Sequence, residues 1–320
     1  MQDVLIADTV LASAFRDDRI AAHKSKLSCE RDQCKLTCEL SQSGIDLRDV
    51  AQHAWTGWES EPGDRRPGTT DVMILHHVLE GTGPAVLLLH STAADARQWR
   101  PQIRELRDDF AVVAPDLRGY GGSPLNPGSF SHAGDVVRLM DELGVERFAM
   151  VGSSGGGAVA LQVASTIPER VSALVLLCAA AGGVEPTAEL RAFAEQETRL
   201  LHSGDVAAAT DLNVEMWLQP EVDEATQELF AEMQSHAFHM QLAAGDEVHQ
   251  EEPEIDLSRI TCPATVVSGG LDLPWFRAVA DHLVAELPQG VHIDLPWAGH
   301  LPNLERPTDT TKLIRRCLLP

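Results

Sequence analysis

Five residues, Gly152-Ser153-Ser154-Gly155-Gly156, constrain this chain more than any other stretch. They read G-x-S-x-G and sit between two different patterns. Arg147-Phe148-Ala149-Met150-Val151 suits a buried strand, and Gly157-Ala158-Val159-Ala160-Leu161-Gln162-Val163-Ala164 suits a helix. A strand, a sharp turn and a helix hold Ser154 in strained backbone with its hydroxyl exposed above a sheet. The small residues on both sides permit that turn. The helix N-terminus then lies beneath the hydroxyl, where its dipole favours negative charge. Glycine and serine are common, so the five letters alone could be a loop. The flanking strand and helix give them their meaning.

Two further strand-to-loop segments supply an acid and a base. Val266-Val267-Ser268-Gly269-Gly270-Leu271-Asp272 is an apolar strand running into an acidic loop. Ile293-Asp294-Leu295-Pro296-Trp297-Ala298-Gly299-His300 runs into a loop that carries a histidine. A serine hydroxyl is a poor nucleophile until a base accepts its proton. An imidazole base works best with a carboxylate behind it to fix its tautomer. Taken singly, Asp272 could cap a loop and His300 could pack under a turn. Both follow strands, in the order Ser154, Asp272, His300, and together they read as a nucleophile, an acid and a base.

With these residues in place the chain is similar to the α/β-hydrolase superfamily. Leu87-Leu88-Leu89-His90 with Trp99 resembles the family's strand and oxyanion loop. Ala114-Pro115-Asp116-Leu117-Arg118-Gly119-Tyr120-Gly121-Gly122-Ser123 resembles its D-x-R-G-x-G-x-S loop, and the segment from Gly299 to Pro307 resembles its histidine loop. The resemblance covers residues 74 to 318. It implies an α/β fold: a mostly parallel central sheet flanked by helices, with an inserted helical cap. It also implies backbone N–H donors for an oxyanion at Thr92 and Gly155. Most members carry His-Gly where this chain has His90-Ser91-Thr92. The 3-oxoadipate enol-lactonases also carry a serine there. They resemble this chain again around Trp99 to Gln102 and in Asn213-Val214-Glu215-Met216-Trp217.

Four segments follow from this reading. Residues 1–72 form an N-terminal extension, 73–185 the first part of the core, 186–258 the cap and 259–320 the second part of the core. In the cap, Glu189 to Leu201 and Glu224 to Leu242 have helical apolar spacing. Phe193, Leu200, Met216, Trp217, Phe230, Met233 and Phe238 are its large apolar residues, most of them core. Trp217 is expected to face the cavity above Ser154, and Trp99 is a second expected substrate contact. Trp275 and Trp297 flank the acid and histidine loops.

The extension has a different character. It lacks a helix or strand period, and Glu59 to Thr70 is rich in Pro, Gly and charge, as a linker is. It is expected to be largely disordered. Cys29, Cys34 and Cys38 lie close together downstream of His23. Their C-x4-C-x3-C spacing lacks the paired C-x-x-C of zinc sites, so no metal is expected.

A formal net charge of −23 argues against nucleic-acid and anionic-membrane partners, which attract basic surfaces. No apolar run reaches the roughly 20 residues that span a bilayer. The first residues lack the basic region of a secretory signal, and the six cysteines read as free thiols. A cytoplasmic location is the expectation. No GxGxxG, Walker loop or HExxH occurs, so no cofactor is implied. The expected activity is cofactor-free hydrolysis of a small carboxylic ester, lactone or enol-lactone. Perhydrolase or haloperoxidase-like chemistry, C–C bond hydrolysis and aminopeptidase activity remain open on the same scaffold, as does a non-enzymatic small-molecule receptor. An anionic substrate would need a basic residue in the pocket, and Arg191 and Arg199 are the candidates. The oligomeric state is not written in the sequence.

Overall fold

A computed structural model describes residues 73–245 and 247–319. The extension, and the expectations placed on it, lie outside the described residues.

Seven strands form the central sheet: β1 (His77–Glu80), β2 (Ala85–Leu89), β3 (Ala111–Pro115), β5 (Phe148–Ser153), β6 (Val171–Leu177), β8 (Ala264–Gly269) and β9 (Gly290–Leu295). Their spatial order is β1-β3-β2-β5-β6-β8-β9. β1 runs antiparallel to β3, and every other pairing is parallel. Two short strands, β4 (Gly128–Phe130) and β7 (Val248–Gln250), pair separately.

The central strands read as unbroken apolar runs because both of their faces are covered. Successive residues then alternate between two cores. Leu87, Leu89, Met150, Leu174 and Leu176 face one, against α2 (His132–Glu142), α3 (Gly155–Thr166) and α7 (Pro274–Glu286). Val86, Leu88, Val151, Val175 and Leu177 face the other, against α1 (Arg100–Leu106) and α9 (Pro307–Leu318).

Three helices are inserted between β6 and β8: α4 (Ala188–His202), α5 (Val206–Trp217) and α6 (Glu224–Ala243). Each starts where a side chain caps it, at Thr187, Asp205 and Asp223, which accept from the N–H groups of Leu190, Ala208 and Thr226. The first and third match the two apolar periods in the sequence to within a residue. The middle one carries Asn213 and Trp217.

Register puts the working loops at one edge. Leu89 pairs with Gly152, Gly152 with Leu176, Leu177 with Val267, and Gly269 with Leu295. The loops after β2, β5, β6, β8 and β9 therefore leave from the carboxyl ends of adjacent strands, where open α/β sheets bind ligands. A short helix, α8 (Pro302–Glu305), follows the last of these loops.

Candidate active site

Ser154 stands between β5 and α3 with φ +51°. A left-handed backbone at a non-glycine residue costs on the order of 1–3 kcal/mol, so the surroundings must enforce it. Ser154 N–H donates to the Leu177 carbonyl, and its own carbonyl accepts from Gly157 and Ala180 N–H. The neighbouring glycines are needed for closeness. A Cβ on Gly156 would run into the Leu89 and His90 carbonyl oxygens, and one on Gly152 into the Gly156 carbonyl.

His300 Nε2 lies 2.8 Å from Ser154 Oγ, and its Nδ1 lies 2.9 Å from Asp272 Oδ2. The carboxylate fixes the tautomer: Nδ1–H donates to it, which leaves Nε2 free to accept the serine proton. Ser154 is 5% exposed, His300 4%, and the Asp272 side chain 2%. In so dry a site each of these contacts is electrostatically stronger than in water. The structure thus brings together three residues 28 to 146 positions apart in sequence. Glu185, the next acid beyond β6, is exposed.

The loops around the three are braced. Glu305 accepts from Gly299 N–H (2.8 Å) and Leu301 N–H (3.2 Å), clamping the backbone on both sides of His300. Ser91 N–H donates to Gln98 Oε1, and Gln98 Nε2 donates to Asn303 Oδ1, which ties the loop after β2 to the loop after β9. His90 Nε2 accepts from Leu117 N–H while its Nδ1 donates to the Ser91 carbonyl. Asp116 accepts from Ala96 and Gly122 N–H and from His76, so its carboxylate is a loop tie.

Gly155 is the first residue of α3, where a helix offers its N–H no internal acceptor. Thr92 lies in the loop after β2, and among the described residues no hydrogen bond occupies its N–H. Both donors are therefore available to an incoming oxygen.

The chain has the α/β-hydrolase fold. Residues 84–203 match the model of the alpha/beta hydrolase fold. A thermophilic esterase from Thermogutta terrifontis superposes with a TM-score of 0.65 at 28% identity, covering 76% of this chain and 92% of that one. The enol-lactonase from Burkholderia xenovorans LB400 superposes with a TM-score of 0.62 at 23% identity, over 76% and 96% of the two chains, a likeness of fold. Epoxide hydrolase 3 from Siraitia grosvenorii is 40% identical over 114 residues, 34% of this chain and about a third (36%) of that relative's length.

The aromatic wall around His300 comes from two directions. Trp217 of α5 has its ring centroid 4.6 Å from the imidazole, and Phe276 of α7 has its own at 4.1 Å. Phe193 packs edge-on against Trp217. Trp217 Nε1 donates to Asn213 Oδ1 (2.9 Å), and Asn213 Nδ2 donates to Glu197 Oε1 (2.6 Å) and to the Ala209 carbonyl (2.9 Å). A polar chain thus runs from Glu197 of α4 to the ring beside His300. Burial pushes the Glu197 carboxyl up to about 7, against the opposing pull of the Asn213 hydrogen bond.

Sequence reasoning missed Glu197, although a signal was present. The buried stripe of α4 is Leu190, Phe193, Glu197 and Leu201, so a carboxylate occupies an apolar position. Phe276 and Cys178 were missed as well. Cys178 follows β6 in left-handed backbone at φ +45°, and its thiol donates to the Gly299 carbonyl at 3.5 Å.

Two expectations need correction. Trp99 has no exposed surface and packs with Val86, Leu106 and Ile314 in the core below the sheet, so it cannot touch a substrate. Residue 99 ends a short turn started by Asp95, and it shares its buried cluster with Leu313 and Ile314 of α9. Arg191 and Arg199 are exposed on α4, with Arg191 bonded to the Pro186 carbonyl and Arg199 beside Glu195. Neither supplies a buried cation. Trp275 donates to the Val184 carbonyl, and Trp297 lies under Arg306 at 4.6 Å, so both hold loops.

Cys178, Asp272 and His300 form a cluster of metal-ligand types, with one atom from each within 4.8 Å of the others. The acid and imidazole are already bonded to each other, and burial, reinforced by Asp272, raises the thiol well above its usual range. A cavity of about 760 Å³ lies between β1, α1 and α6, lined by Arg97, Arg100, Arg104, Glu232 and His236, with no residue of the Ser154 site in its wall. Among the described residues no helix is long and apolar enough to cross a membrane.

Proposed function

We propose that this hydrolase cleaves a small carboxylic ester, lactone or enol-lactone through an acyl-enzyme, without a cofactor. The observation that carries the reading is the continuous line from Asp272 through His300 to the Ser154 hydroxyl. Ser154 Oγ attacks the carbonyl carbon while His300 Nε2 takes the hydroxyl proton. The carbonyl oxygen becomes an oxyanion held by the N–H groups of Gly155 and Thr92, each donor worth about 3 kcal/mol of barrier. His300 returns the proton to the leaving alkoxide. A water then gives its proton to His300, attacks the acyl-enzyme and releases the acid, restoring Ser154. Asp272 keeps the imidazole oriented throughout.

The helices α4 to α6 act as the cap, with Trp217 over the substrate-side face of His300. A small molecule is favoured because Ser154 and His300 are so nearly enclosed. The acidic composition, and the free thiols of Cys178, Cys262 and Cys317, are in keeping with a cytoplasmic enzyme.

A fluorophosphonate probe tests the reading. It should label Ser154 and no other serine, and a short activated ester should turn over. Labelling that persists in Ser154→Ala would show that another residue is the nucleophile. Labelling without turnover of any acyl, lactone or peptide substrate would favour a receptor on this scaffold.

A further inference from the structure

We infer that Glu197 is the group by which the inserted helices recognise the substrate. Its free carboxyl oxygen meets a hydroxyl or N–H group on a neutral ester or lactone, remote from the scissile carbonyl. This rests on the ester-hydrolase reading of the Ser154 site and narrows its substrate class.

The reasoning begins with the cost of the group. Glu197 is only 7% exposed, inside a stripe whose other members are Leu190, Phe193 and Leu201. A carboxyl carried this far out of water costs free energy unless its oxygens find partners, and Oε2, though unbonded, is not sealed off: it keeps some accessible surface and so faces open space. Asn213 engages Oε1. Among the described residues Oε2 has no partner, and no arginine or lysine is buried that could pair with it. Packing α4 against α5 requires no carboxylate, since leucine or methionine would fill the stripe without the penalty.

Location gives the group its use. Asn213 and Trp217 join Glu197 to the aromatic wall of His300, so its carboxyl belongs to the polar part of the layer that roofs the site. Phe193, Trp217 and Phe276 give that layer a large apolar surface, and the Gln219 amide lies against Gly299 at its edge. A mostly apolar pocket with a few placed hydrogen-bonding groups fixes orientation as well as affinity. It discriminates strongly against an analogue that lacks the matching polar group, because the protein's own group is then left unpaired. The sign of the group excludes an anion: a substrate carboxylate would meet an acid, while both candidate arginines point to solvent.

The test uses paired esters, each member carrying either a hydroxyl or a methyl at one position of the acyl chain or of the alcohol. For at least one pair, wild type should prefer the hydroxyl compound by about tenfold or more in kcat/KM. Glu197→Met should bring that ratio below threefold, chiefly through a raised KM for the hydroxyl compound. Glu197→Gln keeps a hydrogen-bonding amide and should restore part of the preference. The same ratio should appear in dissociation constants measured by calorimetry with Ser154→Ala, which needs no turnover. Selective binding without turnover would count against the proposed reaction and leave this assignment standing. Equal binding of every pair, an unchanged ratio in a folded Glu197→Met, or a preference for a carboxylate-bearing ester would overturn it.

Discussion

Replacing Glu197 by Gln should make the protein more stable above neutral pH and change little in acid. The buried carboxyl titrates near 7 in the fold, against 4.5 for an ordinary glutamate. The folded chain therefore holds this proton more tightly than the unfolded chain does. Stability from that proton is fully present below about pH 4.5 and is lost as pH rises through 7. A tenfold difference in proton affinity is worth about 1.4 kcal/mol, so roughly 2 to 3 kcal/mol disappears between pH 5 and pH 8. Glutamine keeps the acceptor that Asn213 needs and cannot ionise. Urea unfolding of both proteins at pH 5 and pH 8 reads the effect. All other titrating groups are common to the two, so the change in their stability difference isolates residue 197. The variant should gain roughly 2 kcal/mol on wild type between the two conditions. A difference that stays constant within about 0.5 kcal/mol would mean that the carboxyl is solvated, and that its burial has no energetic consequence.

Asp272→Asn should lower kcat by about three to four orders of magnitude with an unchanged melting temperature, because the amide favours the wrong imidazole tautomer; ester turnover beside a thermal melt checks it. Gly156→Ala should lower both the melting temperature and activity, since its methyl would collide with two backbone carbonyls that cannot move without shifting the loop after β2. Burial lowers the His132 imidazole to about 3, so the unfolded chain takes up that proton first as pH falls below 6.5. His132→Phe should therefore lose roughly 2 kcal/mol less stability than wild type between pH 7 and pH 5, read by denaturant melts.

The strand–turn–helix around Ser154 was legible because its constraints are local. An apolar run, the five small residues Gly152 to Gly156 at a left-handed corner and a helical period lie within about twenty positions. The placement of Asp272 and His300 was legible for a related reason: each follows an apolar strand, and parallel strands deliver their following loops to one edge. Distances were not legible, because Ser154 and His300 meet through the pairings of β5 with β6, β6 with β8 and β8 with β9, whose register depends on the whole sheet.

Orientation was decided by tertiary packing. Trp99 and Trp217 are both large aromatics near the motifs, yet one fills the core below the sheet and the other lies against His300. The periodicity of α4 says that one stripe is buried. It does not say that Glu197 stays in that stripe, since a carboxylate at an apolar position costs free energy once that face is covered. Only the packing of α4 against α5 brings Asn213 to that carboxyl and turns Arg191 and Arg199 to solvent. Sequence determined which chemistry this chain can carry, because reactive groups and turns are written locally. The charge and polarity of the roof above Ser154 were set by which helix faces meet, a property of three dimensions.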